Sequence, residues 1–265
     1  MSAWGVADWD AGPARWADAL QSRLAPEARQ RWQGVRDRAA AGTPLDVVLP
    51  GVSRAVGRER LDPDDDGAFA GGVDDLARAL LLTEGPVPAQ DVATLRSLYD
   101  VGDAAERRAV LRALPHVAAR AAAGGDRDPA ATVLVEDALR ANDTRLVAAA
   151  VGAADLLDAD GFRQAVLKCL FVEVPLECVQ GLARRADGPL AAMTARFVAE
   201  RVAAGRAVPD DVVLVLPPSS AAVAEARLDD PAHDAHDDRR AAAAAARRLL
   251  GVPGRPAPHA PAEET

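Results

Sequence analysis

Residues 128–152, DPAATVLVEDALRANDTRLVAAAVG, decide the fold. Asp128 and Pro129 open a helix: the aspartate is a preferred N-cap and proline is pre-set for the first helical turn. Leu134, Val135, Ala138 and Leu139 then recur at the helical spacing. Asn142 to Thr144 close this segment and cap the next, whose apolar positions are Leu146, Val147, Ala150 and Val151, and Gly152 ends it. Two apolar-faced helices joined by so short a turn read as a helical hairpin.

The same punctuation continues on both sides. Upstream, Pro13 to Leu24 carries Trp16, Leu20 and Leu24 at steps of four, and Pro26 with Glu27 restarts a helix that turns Trp32 and Val35 inward. Thr43 to Leu45 open a segment in which Val47 to Leu49 reads as either a helix or a short strand. Val73, Leu76, Ala77, Leu80 and Leu81 form one helical face, and Val92, Leu95 and Leu98 the next. Asp103 with Glu106 has the spacing of a capping box, and Pro115 is expected to kink or break the helix that follows.

Downstream, Asp158 or Asp160 caps an apolar helix that stops at Pro175. Leu190, Met193, Thr194, Phe197, Val198 and Val202 follow helical spacing up to Gly205, and Asp211 to Leu216 is a last helix or a strand. The reading is an all-α protein of stacked helical hairpins, forming a bundle or a short HEAT-like α-solenoid. Its expected organisation is a flexible N-terminus over 1–12, an all-helical domain over 13–216 and a low-complexity, largely disordered tail over 217–265, with one Ala-rich helical stretch near 241–250.

Composition narrows function. All four tryptophans precede residue 33, aromatics are only 3% of the chain, and alanine, leucine and valine must fill most of the core. A net charge of −9 repels phosphate backbones and anionic lipid surfaces, so nucleic acid is not an expected partner. No run is apolar and long enough to be inserted in a membrane, and no signal peptide is legible, which places the protein in the cytoplasm as an expectation. Cys169 and Cys178 fit neither a disulfide framework nor a zinc site and read as small buried apolar residues.

Motifs for chemistry are sparse. Asp62, Asp64, Asp66 and Gly67 match the first half of a calcium loop, but Val73 stands where the bidentate glutamate belongs, so the stretch reads as an acidic turn and no metal is expected. His233, Asp234, His236, Asp237 and Asp238 read as a solvated run. Phosphate loops and nucleophile elbows are absent, His116 reads as a cap or core histidine, and no catalytic residue or cofactor is assigned. The oddity is Lys168 in RQAVLKCLFVE, a lone ammonium on an apolar helix. It must snorkel, pair with Glu200 beside Arg201 or with Glu136 beside Asp137, or face a cavity holding an anion.

The C-terminal half then resembles a known family. Gln164, Val166, Leu167, Lys168, Phe171, Pro175, Gly181, Leu182 and Arg185 carry the likeness, followed by Glu200, Arg201, Ala203, Ala204, Gly205, Arg206 and Val208. Asn142 and LRSLYDVGDAAERRAVLRALP (95–115) agree upstream. Over 13–216 the chain resembles the EboA family of metabolite traffic proteins, whose members are encoded beside a prenyltransferase-like membrane enzyme and sugar-metabolism-like enzymes. It departs from relatives at Phe162, Ala165 and Val198, where an aromatic pattern differs. The resemblance implies a non-catalytic helical adaptor for traffic or export of a secondary, prenyl- or sugar-derived metabolite, acting through proteins of that pathway. The alternative is a carrier or small enzyme holding an anionic intermediate near Lys168, with Gln164, Arg185, Glu200 and Arg201 as further candidate ligand contacts.

Overall fold

The computed structural model describes residues 6–63, 71–84, 91–122, 128–226, 228 and 236–252. Among them are fourteen α-helices and no strand; the lone antiparallel bridge joins Arg60 to Gly72. The protein is therefore all-α, as the punctuation predicts. Two compact units divide at Gly181.

The first unit begins with α1 (Val6–Asp10), α2 (Pro13–Arg23), α3 (Pro26–Ala40), α4 (Leu45–Val48) and α5 (Val52–Val56). It continues with α6 (Val73–Glu84), α7 (Val92–Val101), α8 (Ala104–Ala122), α9 (Pro129–Leu139), α10 (Thr144–Val151) and α11 (Ala159–Val172). The segment 47–49, open between helix and strand in the sequence, is helical: α4 runs into a 3-10 turn at Leu49–Gly51.

Local chemistry sets the boundaries. Asp128, Asp143 and Asp158 each accept a backbone N–H at the start of α9, α10 and α11, satisfying donors the first turn leaves free. Asp103 accepts from the N–H groups of Ala105 and Glu106, while Glu106 accepts from the N–H of Asp103, so the capping box is reciprocal. α8 runs unbroken through Pro115 for 19 residues; the expected break does not occur. The helix packs against α6, α7, α9 and α10, and that tertiary contact outweighs the lost backbone bond. α11 ends at Glu173, which adopts the left-handed conformation at φ 59°.

α6 is buried from Val73 to Thr83, on every face, because α2, α5 and α8 enclose it. Reading it as a one-sided helix missed this. Asp74, Asp75 and Arg78 are consequently buried charges.

The second unit holds α12 (Leu182–Arg185), α13 (Gly188–Ala203), 3-10 segments at Asp210–Leu214 and Ala221–Ala226, and α14 (Asp237–Leu249). The segment 211–216 is thus neither a strand nor an α-helix. α14 lies in the stretch expected to be a tail; it packs on α13 and buries Ala242, Ala243, Ala246 and Leu250. Within the stretch expected to be flexible, Trp9 of α1 is buried. Asp64, Asp66, Gly67, His233 and Asp234 lie outside the described residues.

Candidate functional site

Five arginines converge on one cleft in the first unit. Arg58, Arg60, Arg78, Arg108 and Arg145 line it together with Asp74, Asp75, Asp103, Gly71, Gly72, Ala104 and Ala105, around a volume of about 520 Å³. That volume lies within the ordinary range for small-molecule sites.

The chain reaches this geometry by short-range devices. Gly57, at φ 89°, ends α5 and turns the backbone into an extended run. The N–H of Leu61 donates to the carbonyl of Gly71 and that of Val73 to the carbonyl of Glu59, which ties Arg58 and Arg60 to the start of α6. Gly71 sits at φ +74°, and a Cβ there would meet Asp75 Oδ2 at 2.9 Å. Only glycine fits without strain.

The carboxylates in the cleft are already engaged. Asp74 accepts from Arg78 Nη1 at 2.7 Å, Asp75 accepts from Arg108 Nη2 at 3.1 Å and from the Gly72 N–H at 3.0 Å, and Asp103 caps α8. Arg78 spends its remaining contacts on the Leu49 carbonyl and Ser53 Oγ, so its role is to hold the wall. Among the described residues of their unit, Arg58 makes a single 3.4 Å contact, to Ser53 Oγ, and Arg145, exposed on α10, makes no hydrogen bond or ion pair. Among the described lining residues five guanidinium groups stand against three carboxylates, so this lining is net cationic on an otherwise acidic protein. Because the N-terminus of α8 is capped by Asp103, the capacity for an anion rests with the arginines and not with the helix end.

Behind the cleft, Arg112 is buried with its guanidinium carbon 3.6 Å from the centre of the Trp9 ring. Burial lowers its pKa to about 10, against the opposing pull of Asp75. Trp9 meets Trp16 edge-on at 5.4 Å, Trp16 meets His116 edge-on at 4.9 Å, and the Trp16 indole N–H donates to the Trp9 carbonyl. His116 is thus a half-buried core histidine. Burial, then the neighbouring charge of Arg120, holds its pKa below the usual range.

The residues proposed from sequence are placed differently. Gln164 and Lys168 lie on α11 with Phe171, at i, i+4 and i+7 on one accessible face; Gln164 is exposed, Lys168 half-buried and Phe171 59% exposed. Within its unit Lys168 makes no hydrogen bond or ion pair, and Glu136 is exposed while Asp137 pairs with Arg140. The lysine is half-buried and not sunk in the core. In the second unit, Arg185 ends α12, and Arg201 on α13 donates to the Ala207 carbonyl at 2.7 Å and lies 5.8 Å from the Phe197 ring centre. Glu200 beside it is exposed.

The arginine cleft was missed because its members come from four separate segments, at 58–60, 71–78, 103–108 and 145. The available signal was Asp74 with Arg78, oppositely charged at i, i+4 inside an apolar helix directly after Gly71-Gly72.

Cys169 and Cys178 are both buried. Among the described residues no helix is long and apolar enough to cross a membrane, and no cluster of three metal-ligating side chains occurs. No curated protein and no solved structure matches the chain significantly. The family model described as "Metabolite traffic protein EboA" matches residues 69–216, which include α6 to α13 and most of the cleft lining. With more than half its length matched, the chain belongs to the EboA family of metabolite traffic proteins.

Proposed function

We propose that this protein is a non-catalytic accessory protein of metabolite traffic that carries an anionic metabolite in the arginine cleft. The observation that carries the reading is the excess of five guanidinium groups over three carboxylates among the described residues lining an open volume of about 520 Å³, on a chain whose net charge is −9. Guanidinium groups match the planar, paired oxygens of carboxylate and phosphate. Arginine, aspartate, glycine and alanine line the cleft; these bind and orient, and none is a nucleophile held against a base. A phosphorylated prenyl or sugar compound is the cargo class that agrees with both the cleft's charge and the resemblance.

Calorimetric titration with inorganic pyrophosphate tests this. Saturable, salt-sensitive binding that Arg145→Ala weakens is the expected result; no binding at low salt, or binding that depends on Lys168 and not on Arg145, overturns it in favour of the earlier Lys168 site.

Transfer of cargo requires a recipient, and one observation supports action through partner proteins. Phe171 stands exposed beside Gln164 and Lys168 on the accessible face of α11, and aromatic side chains are enriched at protein interfaces. If this face docks a pathway protein, Phe171→Asp eliminates its capture from the native host without lowering the melting temperature. Unchanged capture refutes the docking role.

A further inference from the structure

A second cavity of about 340 Å³ lies along one face of α8, lined by Pro115, Ala118, Ala119 and Ala122 at helical spacing and by Asp155, Leu156 and Gln180. A smaller one of about 50 Å³ shares Pro115 and Gln180 with it and reaches Trp16, His116 and Cys178. Proline, alanine and leucine form most of the larger cavity's wall, with Asp155 and Gln180 as its polar members, and the chemistry differs from that of the arginine cleft.

Gln180 belongs to both linings. Its backbone N–H donates to the Val151 carbonyl at 3.0 Å, which fixes where the side chain emerges. Its Oε1 is buried and has no hydrogen-bond partner among the described residues. A buried amide oxygen left unpaired is unfavourable, and a donor placed against it recovers that loss.

The rim selects against anions. Asp155 lines the larger cavity and Asp10 the smaller, and burial together with the charge of Asp155 keeps the Asp10 carboxyl above its usual range. A third carboxylate or phosphate brought to this rim meets like charge. His116 is held neutral at pH 7 by its burial and by Arg120, and Arg112, which lines the smaller cavity, is stacked on the Trp9 ring; the lining of the larger cavity holds no cation among the described residues.

We infer that this cavity binds a small uncharged molecule with an apolar body and one O–H or N–H donor, phenol-like or indole-like, whose donor meets Gln180 Oε1. The site is independent of the anion cleft. Its size falls at the lower end of small-molecule pockets, which suits one or two rings.

Ligand-observed NMR and calorimetry on the full chain with indole, phenol and benzoate test the inference. Saturable binding of indole and phenol, with benzoate excluded, is expected. Gln180→Leu should weaken indole about fivefold, the equivalent of one hydrogen bond. Ala119→Phe, on the exposed side of α8, should block indole by filling the space, while pyrophosphate titration stays unchanged in both variants. Absence of saturable binding by indole and phenol, benzoate binding as well as phenol, or indole affinity indifferent to both substitutions overturns the proposal. None of these results bears on the arginine cleft, which the pyrophosphate titration judges separately.

Discussion

Arg78 Nη1 and Asp74 Oδ2 lie 2.7 Å apart, one turn along α6, with side chains only 3% and 11% exposed. The pair forms the inner wall of the cleft. Removing one partner strands the other charge in the interior, so Asp74→Ala should destabilise the protein by about 3 kcal/mol. The double variant Asp74→Ala, Arg78→Met should lose less than the sum of the two single changes. Chemical denaturation across the double-mutant cycle checks this, and additive losses contradict it.

Gly71 holds the mouth of the same cleft in a conformation that side chains avoid. Gly71→Ala should cost about 1–2 kcal/mol from the left-handed backbone alone and displace Asp75, whose Oδ2 lies 2.9 Å from the new methyl. Because Asp75 positions Arg108, pyrophosphate affinity should fall in step with stability. A variant of unchanged melting temperature and unchanged affinity rejects the coupling.

Anion binding by the cleft should decay with ionic strength, because Arg58 and Arg145 sit at the surface and salt screens them. Arg145→Ala should weaken pyrophosphate severalfold and change stability by less than about 0.5 kcal/mol, the ordinary scale for surface changes. Titrations at low and high salt measure both effects.

His116 gives the core a pH dependence of known sign. Its folded-state pKa lies below its unfolded value, so the unfolded chain takes up the proton first. Stability is therefore complete above about pH 6.5 and is lost as the pH falls through that value toward the lowered folded pKa. His116→Gln should flatten this limb, as read by melting temperatures at about pH 7.5 and about pH 5.5. An equal loss in the variant would assign the effect elsewhere.

Glu173 closes α11 in the left-handed conformation normally given to glycine. Glu173→Gly should therefore stabilise the protein by up to about 1 kcal/mol. A decrease in melting temperature would show that the glutamate side chain contributes more than its backbone strain costs.

Capping residues and proline-glycine punctuation made the helices legible, because those signals act within one turn; Asp103, Asp128, Asp143 and Asp158 all do at their helix starts what their spacing predicts. Pro115 was misleading for the converse reason, since the packing of α8 on four other helices is not written near residue 115. The face of α6 was half-read: its leucines were visible, but enclosure by α2, α5 and α8 is a long-range outcome. Lys168 attracted attention as the lone charge in apolar text. Yet Lys168 is only half-buried, and the buried cations, Arg78 and Arg112, stand in stretches with more charge around them.

The stacking of Trp9 on Arg112 has a practical corollary. The family match starts at residue 69, but the indole that shields this cation arrives from sixty residues upstream of it, and α2 seals one flank of α6. Trimming the polypeptide to its homologous borders would bare a guanidinium and a row of leucines at once. Sequence kinship and the minimal cooperative body are different boundaries here, and anyone dissecting this protein should cut ahead of Trp9.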